Sequence, residues 1–521
     1  MLAGRLRFPK VQCVTMAHSP YEQLEQEWKR LHAFRGALAL LRWDAAVMMP
    51  RGSAELRGEQ LAALETEYHT LLTAPKVARL LDRAQANASA LDEWQTANLH
   101  EMRRQRDHAI ATPASLISRL AKVVALAEVR WFEARSSNNF AVFAPHLQDV
   151  VQLVRDKAAL LGQAFNLSPY DALAEEFTPG LRSADIDTLF KAYQRRLPIM
   201  IREAIAAQES RPVLPIQGRF APSKQRAFIT DVMKAFGFPF DRGRLDESNH
   251  PFTEGVPGDV RITTRLDGAN PFSGLLASMH EVGHAMYSFG LPAAWHNQPV
   301  GQDRGMALEE SQALLLEMIL CRSREFVQWL RPLLEKHFAV SGPEWETDNL
   351  YRLLTRVQRG SIRVDADELT YTSHIMLRYD LEQRLLGGEI AVRDLPEAWN
   401  DAAERRLGLR PQNDAEGCMQ DIHWAVGAFG YFPSYAAGAA IAAQLHEAMR
   451  RDITDLGAQV VRGEFKPLFE WLRTQLYSHG SRYPTGELLV QATGKPLGAT
   501  AALRYLEHKY LGEITPSSAA A

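Results

Sequence analysis

The chain has 521 residues, 46% of them hydrophobic and 23% charged, figures that suit a folded protein with a deep core and exclude a disordered, charge-rich one. Lys and Arg total 59 against 62 Asp and Glu, so the net charge of -3 gives no field to attract a polyanion, and no nucleic-acid partner is expected. Cys13, Cys321 and Cys418 form no C-x-x-C pair, which argues against a thiolate metal site or a disulfide framework and for a reducing, cytoplasmic compartment.

In chain order, the opening MLAGRLRFPKVQCVTMAHSP is basic but lacks a long apolar run, so no signal peptide is expected. Residues 1–18 read as an extension, with Met16 a candidate start. From Ser53, Leu56, Leu61, Leu64, Tyr68 and Leu71 recur at helical spacing and predict a core-facing helix, and Leu147, Val150, Val154, Ala158 and Leu161 do the same after Pro145. Pro and Gly cluster only locally and no repeat or low-complexity linker occurs, so residues 19–511 are expected to form one large α-helical domain. Asp259 to Arg265 breaks the helical pattern. Its alternation of branched and polar residues between Pro257-Gly258 and Asp267-Gly268 predicts a short strand.

Further on, Leu353 to Arg363 again shows a helical stripe. The uncharged stretch Ala425 to Ala443 is Ala- and Gly-rich and broken by Phe432-Pro433-Ser434, so it reads as the wall of an interior site and no membrane partner is expected. Pro467 opens a helix with Leu468, Trp471, Leu472 and Leu476 on one face, and residues 512–521 form a tail, frayed from Thr515.

The chemistry lies between the strand and these later helices. His280-Glu281-Val282-Gly283-His284 is an H-E-x-x-H motif, in which residues four apart share a helix face and both imidazoles reach one metal ion. Asn270 as N-cap, Pro271 at the first helical position and a stop at Gly290-Leu291-Pro292 place the motif mid-helix, with Leu275, Met279, Val282 and Met286 on the opposite, apolar face. Glu281, displaced around the helix from the histidines, is the candidate base for a water at the metal. A catalytic zinc needs a third protein ligand, and the positions three and six beyond His284 hold Tyr287 and Gly290, so it comes from elsewhere. The segment Gly305 to Glu317 predicts a second helix on which Glu309, Glu310 and Glu317 all compete for that role by spacing.

With these residues in place, the sequence resembles the thermostable carboxypeptidase (carboxypeptidase Taq) family of zinc metallocarboxypeptidases over most of its length. Beside the H-E-x-x-H motif it carries Asp259-Val260-Arg261-Ile262-Thr263 for D-x-R-x-T and Ile362-Arg363-Val364-Asp365-Ala366-Asp367 for I-R-x-x-A-D. It also carries Gly417-Cys418-Met419-Gln420-Asp421-Ile422-His423-Trp424 for G-x-x-Q-D-x-H-W, and Gly430-Tyr431-Phe432-Pro433. The family's H-E-S-Q falls on Glu309-Glu310-Ser311-Gln312, so the resemblance assigns the third ligand to Glu310, with Glu309 where the family has histidine.

The resemblance implies a mainly α, saddle-like body with a deep groove, a small sheet beside the zinc helix, and a homodimer. It implies one zinc per chain, replaceable by cobalt or manganese, and removal of single residues from the free C-terminus of peptides with broad specificity. Glu281 would serve as base, His423, Tyr431 and Tyr435 as donors at the reacting carbonyl, and Arg363 as the anchor of the substrate's carboxylate. Arg261, on the predicted strand, is a second candidate for substrate binding, with the strand edge open to an extended peptide. The alternatives are an oligopeptidase with the same chemistry and a peptide-binding protein whose catalysis is impaired by Glu309.

Overall fold

A computed structural model describes residues 18–512, so the expectations for the amino-terminal extension, Met16 and the tail from residue 513 lie outside the described residues. Those residues form twenty α-helices and one three-stranded sheet in a single, mainly α domain, as the helical spacing predicts. One continuous apolar core joins helices from the middle of the chain to its end, and a smaller cluster around Tyr21, Leu24, Trp28 and Leu81 packs the amino-terminal helices together. No single helix among the described residues is long and apolar enough to cross a membrane.

The stripe from Leu147 to Leu161 is buried throughout, on the helix Phe140–Phe165. That helix begins before Pro145, which costs one backbone hydrogen bond near its start. The stripe from Leu56 forms the predicted helix, Ala54–Thr73, but is covered only toward its end: Leu56 is 57% exposed, Tyr68 and Leu71 pack against the amino-terminal cluster, and only Leu72 is buried. Periodicity defines a helix face; whether anything covers it is decided elsewhere in the chain. The stripe from Leu353 is also corrected, because the helix Thr347–Leu354 stops there and the chain runs irregularly to a single 3₁₀ turn at Arg363–Asp365. One distant and one nearby side chain satisfy its backbone: Val357 N donates to Gln208 Oε1 at 2.7 Å and Gln358 N to Asp367 Oδ2 at 3.1 Å. Those bonds compete with helix continuation and carry Arg363 to the cleft.

The predicted strand is β3 (Asp259–Thr264), joined by the turn at Pro257-Gly258 to β2 (Thr253–Val256) and paired on its other side with β1 (Gly243–Glu247). The order is β1-β3-β2, with β3 parallel to β1 and antiparallel to β2. β3 is therefore central, which overturns the expectation that its edge is free for a peptide. The strand beside the cleft is β2, whose Thr253, Glu254 and Gly255 line it.

Three helices frame the site: the motif helix Pro271–Gly290, the short helix Met306–Leu314, and Phe432–Asp452. The short helix is pinched between the other two at two glycines. A Cβ on Gly283 would stand 2.5 Å from Ala313 Cα, and one on Gly438 would stand 2.8 Å from Glu310 Cβ. The small residues in the uncharged stretch thus let backbones meet. Because the Gly283 contact is with backbone, no side chain can yield, and Gly283→Val is expected to lower stability by about 3 kcal/mol. The measurement is chemical denaturation of the metal-free protein; an unchanged midpoint would refute the close-packing argument.

Candidate metal centre

Asn270 caps the motif helix as its sequence predicts, its side chain accepting from Phe272 N at 2.9 Å, with Pro271 in the first turn. Leu275, Met279 and Val282 are buried in the core, which leaves His280 and His284 on the cleft side with ring centroids 5.1 Å apart. Glu281 is buried as well. Its Oε2 accepts from Thr253 Oγ1 at 2.6 Å, so the edge strand β2 holds the candidate base.

Among the described residues His280, His284 and Glu310 bring ligand atoms within 4.8 Å of one another. Glu310 Oε2 lies 3.7 Å from His280 Nε2 and is buried without a hydrogen-bond partner. Two donors around one tetrahedral zinc stand about 3.4 Å apart, so the gap fits a shared cation better than a direct contact. The competition between the three glutamates ends in three different positions. Glu317 Oε2 accepts from His280 Nδ1 at 3.0 Å, on the far side of the ring from Glu310, and Arg322 donates to its Oε1 at 3.0 Å. Glu309 Oε2 lies 3.7 Å from His284 Nδ1. Glu317 reaches its place because the helix widens into a π turn at Leu315–Leu320, a local change that heptad counting cannot reveal.

The electrostatics favour a cation. Burial pushes the Glu310 carboxyl up to about 7, against the pull of His280 and a hydrogen bond from Tyr431. Burial likewise raises Glu281, with His280 and Thr253 opposing, and drives His284 well below its usual range, with His280 adding to the effect. For His280 burial disfavours the charge, but Glu317, Glu281 and Glu310 together outweigh it and raise the ring to about 9. A divalent ion among these carboxyls would supply the charge that the side chains lack. Two imidazoles and a carboxylate suit zinc, and the same donors accept cobalt or manganese.

The donors sit in a cleft of about 920 Å³, whose wall includes Arg363, Tyr371, Tyr431 and Tyr435. Arg363 does not pair with Asp365 or Asp367 of its own motif. Its Nε and Nη2 donate to Asp421 Oδ1 at 3.0 and 2.9 Å, while Arg378 Nε donates to the other oxygen at 2.7 Å. The two guanidinium groups overcome burial and hold Asp421 below the usual carboxylate range. Asp367 instead caps the helix Glu368–Gly387, accepting from Leu369 N and Thr370 N. Tyr431 Oη donates to Glu310 Oε1 at 3.1 Å, and the rings of Tyr431 and Tyr435 meet at 5.1 Å.

Two candidates stand elsewhere. His423 is not part of the cleft wall: it packs against Phe432 at 4.5 Å and Tyr431 at 5.5 Å, and burial lowers its ring to about 3. Arg261 also lies off the wall, with both ends of its guanidinium on Asp259 at 2.9 Å and its plane 4.4 Å from the Trp43 ring centroid. Conversely, Thr253, the His250-Pro251-Phe252 run and Asp421 carry no assignment from sequence yet contact or line the site. Asp421 had a signal, as the last acid before an uncharged stretch; the others had only proximity to a predicted strand.

A family profile described as Carboxypeptidase Taq (M32) metallopeptidase matches residues 23–510. The chain is 33% identical to thermostable carboxypeptidase 1 of Pyrococcus furiosus, covering 94% of this chain and 98% of that one. It is 35% identical to thermostable carboxypeptidase 1 of Thermus thermophilus, covering 93% and 97%. Among solved structures, metallocarboxypeptidase 1 of Trypanosoma cruzi superposes with a TM-score of 0.92 at 36% identity, covering 94% of this chain and 99% of that one. The M32 carboxypeptidase of Deinococcus radiodurans R1 gives 0.89 at 34% identity, covering 95% and 99%.

Proposed function

Since the chain belongs to the carboxypeptidase Taq (M32) metallopeptidase family and is thereby a metallocarboxypeptidase, we propose that it releases single residues from the free C-terminus of peptides with broad specificity, using one zinc held by His280, His284 and Glu310. The convergence of those three donors on the floor of a cleft that also holds Arg363 carries this reading. When bound, the ion supplies Lewis acidity to a peptide carbonyl and acidifies water.

The chain's own residues do the rest. Glu281, steadied by Thr253, takes the proton of the attacking water on a carboxylate oxygen and returns it to the departing amine nitrogen. Tyr435 lines the cleft and would donate its hydroxyl hydrogen to the developing oxyanion. Tyr431 is already engaged with Glu310, so it orients the ligand, and His423 braces both tyrosines from behind as a neutral ring. Arg363 receives the substrate carboxylate: Asp421 fixes Nε and Nη2, and Nη1 stays on the Tyr371 side, 3.4 Å from its hydroxyl. Arg261 supports the sheet through Asp259 and Trp43 rather than touching substrate. The buried free thiols Cys321 and Cys418 support a reducing, cytoplasmic setting, and a homodimer is part of the same proposal, to be tested by sedimentation.

A time course of product masses from one peptide tests the function. Single residues leaving from the C-terminus, and none from the C-terminally amidated peptide, are expected; dipeptides or internal fragments would establish an oligopeptidase instead. Arg363→Lys, which loses the planar fork, is expected to raise KM by about 10- to 100-fold with a smaller change in kcat, as for the loss of one charge-assisted hydrogen bond. Unchanged KM would remove Arg363 from substrate binding.

A further inference from the structure

We propose that Glu309 is a positioning residue of the metal centre, its carboxylate accepting the Nδ1 hydrogen of His284 once an ion is bound, as Glu317 accepts that of His280. The inference rests on the metal reading above and concerns a residue that departs from the family pattern. His284 Nδ1 is buried and has no hydrogen-bond partner, which is costly for a polar atom unless a partner is close. Glu309 Oε2 is the carboxylate oxygen that faces it, at 3.7 Å, so a shift of about 0.7 Å would bring the pair to hydrogen-bond distance. With Nδ1 turned to Glu309, Nε2 is the nitrogen left for the ion.

The helix geometry makes the division of labour possible. Consecutive helical residues point about 100° apart, and the two histidines are about one turn apart on the facing helix. Glu310 therefore reaches Nε2 of His280 while Glu309 reaches Nδ1 of His284. Glu317 on His280 shows the same arrangement already closed, at 3.0 Å. An acceptor oxygen on the other ring nitrogen fixes the tautomer and ring angle of a ligating histidine. Two adjacent acids thus do different work: one completes the donor set and the other aims a histidine at it.

The test measures Zn²⁺ affinity of the full-length protein by competition with a chromophoric chelator, with the unfolding midpoint of each zinc-free variant recorded in parallel. Glu309→Ala is expected to weaken zinc by about 10- to 100-fold. Glu309→Gln, which keeps an acceptor oxygen at the same reach, is expected to recover much of that loss. Unchanged affinity in Glu309→Ala overturns the proposal. So does Glu309→Gln as weak as the alanine variant, which would mean that charge or direct ligation matters rather than a hydrogen bond to Nδ1. A zinc-free unfolding midpoint that falls in step with affinity would assign Glu309 a structural role and also overturn it. Wild-type protein that binds no stoichiometric zinc would instead refute the underlying metal reading, so the two failures are distinct.

Discussion

Glu281→Gln is expected to lower kcat by about 10²- to 10⁴-fold while the protein keeps its metal. The amide has the size of the carboxylate, and its oxygen can still accept from Thr253 Oγ1, so the side chain stays where it is. What it loses is the ability to take a proton. The role requires a base with a pKa drawn toward the working pH, and burial moves Glu281 upward in that direction. Release of a C-terminal residue, followed alongside elemental analysis of the purified variant, separates the base from the ligands. A variant with full metal content and near wild-type kcat would send the search for the base to another residue.

Glu310→Ala is expected to abolish turnover, by about 10⁴-fold or more, through loss of the ion itself. On the proposed ligand set Glu310 is the donor from outside the motif helix, and without it two imidazoles one helical turn apart would be left to hold the ion alone. The readout is thermal unfolding with and without added zinc. Zinc at 1,000 times its dissociation constant stabilises the native state by about 4 kcal/mol, so the wild-type midpoint should rise on addition and the variant's should not. The metal-free midpoint of each protein is the baseline, since the substitution removes one buried carboxyl oxygen that has no partner and another that accepts from Tyr431 Oη. Retained zinc stabilisation in the variant would show that Glu309 or Glu317 substitutes as ligand.

The fates of the three glutamates show where local information ends. Spacing placed Glu310 and Glu317 on one helix face, and an unbroken α-helix would have kept them equivalent. The π turn after Leu314 sends Glu317 behind His280 instead, and that turn packs against the motif helix and the helix Phe432–Asp452. Arg363 makes the same point: its helix was expected to continue, but Gln208 and Asp367 take the backbone donors and turn the chain toward Asp421.

By itself the sequence determined what depends on near neighbours. The motif helix, its Asn270 cap, the facing pair of histidines, the strand at Asp259 and the α-rich class all follow from hydrogen bonds and side-chain spacing within a few residues. Only the tertiary structure decided that β3 is central, that the stripe from Leu56 is covered only toward its end, that His423 packs against the tyrosines and that Arg363 is held by Asp421. Each of these rests on which remote segment packs against a given face. The pattern along one segment sets what it can bury or bind, whereas its partner is chosen by the free energy of the whole core.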